Sequence, residues 1–535
     1  MNKKTIKTFL AAAMAVLAFP SFLFSQEGEA LKWGGYVKVD MFNDSRAVVG
    51  ARDDMLALYP AERKQITAAP AALAPIAGTD AATLYVYANN EDLNAVKQTS
   101  ITTVETRINL TINAPDAFGA KVKGFIEGDF FGAANTGIFD FYLRHANVTF
   151  DWGSSKLLVG QWWHPLFAVG YQPLTVQFSP LIIIHPFNRS PQISYTQNLG
   201  GGLSLTLAAI YQGYHASTGP TDRQVVKIPA TLPSSPTDEP VRVSPGNSVQ
   251  TTDGYGSRFK RWADKPDIDL QLLYKSDMFD IGLTLDLNEV RPYDNRPVYD
   301  NSTTADRVGN NKNKVTGLTK QIFGKFVFDK DNNGHIRFAY LQGENTHHLV
   351  MLGGYAQKGS LVLDNLTALG LSTAEANLVK AFTPKEYTPI KVVSYWIQPV
   401  WGKDIEYAVA LGKIENKGAK EDISSNGLFY RGTNIKSITH VIPQVKFKSG
   451  KTEFGVMLGY FEAEYMEDDK GYKAITQYIN TQAGIAAGSS NDDYNKIKIG
   501  GFTIPNPAVR DSKGVIGDTY KVVDYRLQAS VKQSF

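Results

Sequence analysis

Polar and apolar residues alternate with a period of two along most of the chain. Residues 31–42 set Trp33, Val37, Val39 and Met41 against Lys32, Tyr36, Lys38 and Asp40. A second segment sets Val104, Ile108, Leu110 and Ile112 against Glu105, Arg107, Asn109 and Thr111, and a third sets Val122, Ile126 and Phe130 against Lys121, Lys123, Glu127 and Asp129. Such alternation predicts strands with one oily and one wet face. It returns near 141–151, 156–163, 190–197, 202–212, 267–275, 279–288, 320–329, 335–342, 391–400, 404–413, 437–448, 452–461 and 520–535. The total is about sixteen strands, many close to the ~10 residues a tilted membrane-crossing strand needs. Faces such as Leu203, Leu205, Leu207 and Ala209, or Ile281, Leu283, Leu285 and Leu287, carry no charge. That suits lipid, where a Lys or Arg at midplane would cost ~2–4 kcal/mol.

The connections alternate as well. Short ones rich in turn formers lie at 115–119, 151–155, 198–200, 276–277, 331–334, 402–404 and 449–451. Between them run long ones, at 44–99, 131–139, 164–189, 213–265, 289–318, 343–390, 413–436 and 462–519. A soluble protein of several β-sandwich domains would also alternate in its strands, but has no reason to keep short and long connections in strict order. The order predicts an all-β fold, a transmembrane antiparallel β-barrel of about 16 strands with short periplasmic turns and long extracellular loops.

The two ends agree on the compartment. Lys3, Lys4 and Lys7 precede an apolar run at 9–24, with a cleavage point at Ser25 and Gln26. Residues 1–25 therefore read as a secretory signal peptide and 26–535 as the barrel, in the bacterial outer membrane. The last strand places Val523, Tyr525, Leu527, Ala529, Val531, Gln533 and Phe535 on one face. Tyr525, Leu527 and the terminal Phe535 resemble the signal that the bacterial barrel-assembly machinery reads. The chain has no Cys, which removes disulfides, thiolate metal sites, Cys nucleophiles and a lipid-anchoring Cys. A net charge of +3 is too balanced for a nucleic-acid binder, so the expected partners are lipid, lipopolysaccharide, the assembly machinery and further copies of the chain.

Candidate chemistry centres on the third long connection, 164–189. It is rich in Pro, Phe, Leu and Ile, and exposed apolar loops of this length invite aggregation. Folding inward against the barrel wall solves that problem; covering a neighbouring subunit, or forming an extra strand, are the alternatives. No Asp or Glu occurs between Asp151 and Asp222, so the loop cannot supply an acidic ring. His164, His185 and Arg189 are its candidate constriction residues. Lys38, Arg107, Lys121, Lys123, Arg337 and Arg526 fall on wet faces, with Glu127 and Asp129 among acids that can pair with them across strands. Basic side chains favour anions, so a weak anion preference is expected.

Other motifs weigh less. The run 329–336 begins like a calcium loop, but position twelve is Tyr340 and the flanks read as strands. His347 and His348 are adjacent, so on an extended segment their side chains diverge, and no metal or cofactor is expected there. Residues 372–375 form a capping box before a short apolar run, which predicts one surface helix. Arg144 is in phase with apolar Ala146, Val148 and Phe150, which requires a membrane-edge position or a bulge.

Residues 32–40 (KWGGYVKVD), with 143–150 (LRHANVTF) and 158–162 (LVGQW), resemble the DcaP-like porins, most clearly over 31–212. The resemblance implies a sixteen-stranded barrel, usually trimeric, associated with small anionic solutes such as dicarboxylates. The long first loop, with its Ala/Pro tract at 68–82, looks like an insertion relative to that family. The expected function is an outer-membrane porin for passive diffusion of small hydrophilic solutes, neutral to weakly anion-preferring. The alternatives are a barrel whose long loops bind a surface partner, and a barrel hydrolase, for which no Gly-x-Ser-x-Gly motif occurs.

Overall fold

The computed structural model describes residues 30–64, 92–132, 137–178, 180–213, 215–220, 257–292, 314–329, 331, 333–359, 386–467 and 510–535, with the two-residue strand pairs at 222–223/249–250 and 498–499/502–503. The signal peptide, the Ala/Pro tract and the capping box at 372–375 lie outside these residues. Sixteen strands form the barrel wall: β1 Leu31–Asp44, β2 Arg107–Ala117, β3 Ala120–Asp129, β4 Tyr142–Asp151, β5 Ser155–Trp163, β6 Arg189–Gly200, β7 Leu203–Ile210 and β8 Asp267–Lys275, then β9 Phe279–Val290, β10 Val315–Val327, β11 Gly334–Glu344, β12 Tyr387–Trp401, β13 Ile405–Ala419, β14 Ile435–Ser449, β15 Thr452–Met466 and β16 Thr519–Ser534. Each pairs antiparallel with its neighbours in the chain, and β16 returns to β1 from Tyr36↔Ser534 to Asp44↔Arg526, which closes the sheet. Closure leaves no unpaired edge, the condition for a sheet to cross lipid.

The alternation read from sequence sets the two faces. Val37, Met41, Ile193, Leu207, Leu272, Leu283, Leu458 and Leu527 are exposed on the outside, while their strand neighbours Lys38, Asp40, Gln192, Ala208, Thr284, Met457 and Gln528 are buried within. Aromatic residues mark the two rims of the outer band. Trp401 and Tyr407 stack at the short-turn end, and Tyr460 and Tyr525 meet edge-on nearer the long loops. Beyond that upper belt the outer face turns charged, with Lys413 and Glu415 paired at 3.0 Å and Lys521 and Glu462 at 3.0 Å.

The short turns fall between the expected strand pairs. In the β4–β5 turn Gly153 has φ 83°, and the Asp151 carboxylate accepts its N–H at 2.9 Å. The turn expected at 198–200 lies slightly later: β6 runs to Gly200, and Gly201 and Gly202, both at positive φ, reverse the chain. The run at 329–336 spans the β10–β11 turn, and Tyr340 sits inside β11, so strands and not helices flank it.

Three further departures have local causes. The second strand starts at Arg107, not Val104, which is buried in a turn; a separate strand, Gln98–Thr102, takes the outer half of β1 from Asp40 to Asp44. The connection expected at 413–436 is largely strand: β13 extends to Ala419, and Ile423–Arg431 pairs with Gly353–Lys358 from the preceding loop. At Arg144 the register between β3 and β4 slips, with Glu127 opposite His145 but Gly128 opposite Leu143. This bulge turns both Arg144 and His145 away from lipid.

Loop 164–189 folds into the barrel. Some of its backbone polar groups bond within the loop or to Leu349 O, and inward side chains from distant strands satisfy others. Gln398 of β12 donates to Leu174 O at 2.9 Å and accepts from Leu174 N at 2.8 Å. Gln444 of β14 donates to Leu174 O at 2.6 Å and accepts from Val176 N at 2.9 Å. Lys38 of β1 donates to Val176 O, Gln271 of β8 to Pro165 O, Arg337 of β11 to Gln172 O and Ser394 of β12 to Ile184 O. The loop's apolar run, Leu181, Ile182, Ile183 and Ile184, packs with Leu58 and Tyr59, with Leu349 to Leu352, and with inward Trp396, Ala410, Ile438, Ile442 and Phe461. An apolar core thus sits inside the barrel, against the inner faces of β10–β16.

Candidate functional site: the lumen and its inward loop

Loop 164–189 leaves β5 through a single 3-10 turn, Pro165–Phe167, whose N-cap is His164. The three residues expected at a constriction are all buried, each at most 2% exposed. His164 Nδ1 accepts from Leu166 N at 3.3 Å and lies 3.3 Å from Asp269 Oδ2. His185 shares a hydrogen bond with Phe167 O at 3.0 Å and meets Trp396 edge-on. Burial pulls its pKa down to about 3 and that of His164 well below the ordinary range. Arg189 lies beneath Trp163 and Phe187 at 5.3 and 5.5 Å. In this arrangement the three side chains hold the loop in place and turn no charge toward open lumen.

The lumen charges fall into two levels. Toward the long loops they pair with one another. Lys38 meets Glu105 at 2.5 Å and Asp40 at 3.2 Å. Arg144, delivered by the bulge, meets Glu127 at 2.7 Å and Asp129 at 2.6 Å, with Arg107 at 3.6 and 3.7 Å from the same two carboxylates. Arg526 clamps Asp44 with two bonds of 2.6 and 2.8 Å and also donates to Met55 O and Asp54 O. Four cations thus face five carboxylates, and every one of these cations is engaged. Arg144 is the residue of this group that sequence phase alone placed ambiguously.

Toward the short turns the inner face is basic. Lys121 and Lys123 share the face of Glu127 and are exposed. By the same register and parity, Lys32, Lys156, Lys275, Lys325, Arg337, Lys446, Lys448 and Lys532 face inward around the rim, against Asp151, Asp280, Glu406 and Glu453. Asp151 pairs with Lys156 at 3.2 Å, Glu406 with Lys448 at 2.5 Å and Glu453 with Lys446 at 3.7 Å, while Asp280 accepts from Tyr171. Ten cations therefore face four acids at this level, and Lys32, Lys121, Lys123, Lys275 and Lys532 are part of the excess.

A second buried group was not legible beforehand. His164 from the inward loop, Asp286 of β9 and His348 of the 3-10 turn Thr346–Leu349 bring one ligand atom each within 4.8 Å of one another. Asp269, the β8 register partner of Asp286, adjoins them. The histidine pair 347–348 thus divides: His348 enters this cluster, in company the sequence spacing gave no sign of.

No protein-family model matches the chain, and no curated protein matches it in sequence. Among solved structures, the outer-membrane channel DcaP of Acinetobacter baumannii superposes with a TM-score of 0.53 at 12% identity, covering 95% of this chain and 99% of that one. The anion-selective porin of Comamonas acidovorans gives 0.45 at 10% identity, over 94% and 99% of the two chains. OmpT, an outer-membrane protein of Vibrio cholerae, gives 0.42 at 8%, over 95% and 99%. The likeness to DcaP shows the fold, a closed antiparallel barrel of the outer-membrane channel kind.

Proposed function

We propose that this barrel is a diffusion porin for small hydrophilic solutes with a preference for anions, small organic acids among them. The observation that carries the preference is the basic level near the short turns. The cations above it are engaged by carboxylates, so the excess positive charge lies at this lower level, where Lys32, Lys121, Lys123, Lys275 and Lys532 stand. A cleft with low-dielectric walls focuses such a field and raises the local concentration of counter-ions. The DcaP and general porin likeness supports the transport role through the fold alone.

Copies of the chain are expected to form a homotrimer through the low side of the barrel. Strands β3, β4, β5, β7 and β8 have only 8–10 residues, whereas β12 to β15 have 15 each. Tyr525, Leu527 and Phe535 all lie exposed on the outer face, open to the assembly machinery and later to lipid and lipopolysaccharide.

Planar-bilayer recording tests the reading. Steady single-channel steps with a reversal potential on the anion side are expected. Lys121→Glu, Lys123→Glu and Lys532→Glu together should lower the anion-to-cation permeability ratio several-fold and bring it near or past unity. Strong cation selectivity in the unaltered protein would overturn the preference. A silent barrel would favour the rival reading, in which the apolar interior plug closes the lumen and the long loops serve a surface partner.

A further inference from the structure

Two carboxylates, Asp269 and Asp286, face each other across β8 and β9 inside the barrel. Both are buried, at 1% and 0% exposure, as are His164 and His348 beside them. Among the described residues neither carboxylate forms an ion pair with a Lys or Arg. Burying two acids together without a compensating cation is costly.

The hydrogen bonding around the four side chains leaves several of their polar atoms without a protein partner. His348 Nδ1 lies 3.2 Å from Asn345 O, which fixes the proton on that nitrogen and leaves Nε2 with a lone pair and no protein partner. Asp286 Oδ2 takes the Asn288 amide at 3.0 Å, leaving Oδ1 without a partner. Asn345 in turn donates to Asn288 Oδ1 at 2.8 Å, so the two supporting amides are themselves held. Neither oxygen of Asp269 has a hydrogen-bond donor, and Oδ2 faces His164 Nδ1, which is already accepting from Leu166 N. Asp269 Oδ2 and His164 Nδ1 lie 3.3 Å apart, and the other ring nitrogen of His164 has no protein partner, so a cation can stand in place of a proton among these groups.

We propose that His164, Asp269, Asp286 and His348 bind one first-row divalent transition ion. Two imidazoles and two carboxylates are a donor set such ions take readily, and the two acid charges balance the ion. The three ligand atoms of His164, Asp286 and His348 lie within 4.8 Å of one another, and bonds of about 2.0–2.2 Å need them roughly 3–4 Å apart, a closure that rotation of the side chains supplies. The fixed Nδ1 of His348 and the held Asp286 are the outer-shell support that metal ligands have. The site joins the root of the inward loop, the β8–β9 wall and the 346–349 turn, so the ion would pin two loops in a chain that has no Cys to do so. The proposal stands on these residues alone, whichever solute crosses the barrel.

Zinc is the probe, with the full-length protein folded in detergent, stripped by EDTA and dialysed against zinc chloride beside calcium chloride. Elemental analysis should find one zinc per chain and no retained calcium, with a higher melting temperature in zinc. Asp286→Asn, which keeps shape and volume, and His348→Ala should each lower zinc affinity at least tenfold, while His347→Ala should not. Anomalous scattering at the zinc edge should place the ion between His164 and His348. The proposal is overturned if folded protein retains no zinc, if Asp286→Asn binds it unchanged, or if the anomalous peak lies elsewhere.

Discussion

Arg526 and Asp44 are both buried, and their bidentate contact crosses the line where the first and last strands meet. Removing one partner strands the other charge, at a cost of about 3–5 kcal/mol. Arg526→Ala should lower the denaturant midpoint accordingly, and Arg526→Met with Asp44→Leu should recover much of the loss. His185 makes a pH prediction. Its folded pKa, about 3, lies below the ordinary 6.5, so the unfolded chain takes up the proton first as pH falls. Its contribution is whole above pH 6.5 and declines between 6.5 and 3, by at most ~1.4 kcal/mol per pH unit. His185→Phe should flatten the slope of stability against pH over that window in equilibrium unfolding. Single residues were the least legible scale in the sequence. The acid-free loop was visible, but nothing in it indicated that His164, His185 and Arg189 would be turned into packing, because burial depends on walls contributed by strands hundreds of residues away.

Strands were legible because period-two alternation is imposed by lipid outside and water or packed loop inside. All sixteen expected segments have a wall strand, and the ambiguous phase of Arg144 resolves as a bulge. What alternation could not show is where a strand stops being membrane wall. β13 continues past the outer charged belt at Lys413, and Ile423–Arg431 builds a further ladder with Gly353–Lys358 above it, so a stretch read as loop is sheet held by neighbouring sheet. The lipid face gives a test at this scale. Leu283 is exposed on β9 and its neighbour Thr284 is fully buried. Leu283→Arg should cost about 2–4 kcal/mol of folding in lipid vesicles, whereas Leu283→Met should fold as well as the parent, scored by the heat-resistant band on gels.

At the scale of the whole molecule, the barrel followed from the order of connections and the inward third loop from its apolar composition, whereas the apolar core within the barrel was not legible: its members come from the first, third and sixth long loops and seven strands, and no local pattern joins them. The β1–β16 seam has one more consequence. Its Arg526–Asp44 contact spans 482 positions of sequence, so the seam is the longest-range event in folding and is available only after the last strand has been made. Until then β1 and β15 are open edges of 14 and 15 residues, templates for pairing with other chains. A chain ending at residue 518 should therefore accumulate as aggregate rather than as a smaller barrel, visible as loss of the monomer-sized heat-resistant species. Closing the circle acts as a check on completeness: a truncated product cannot hide its unfinished state.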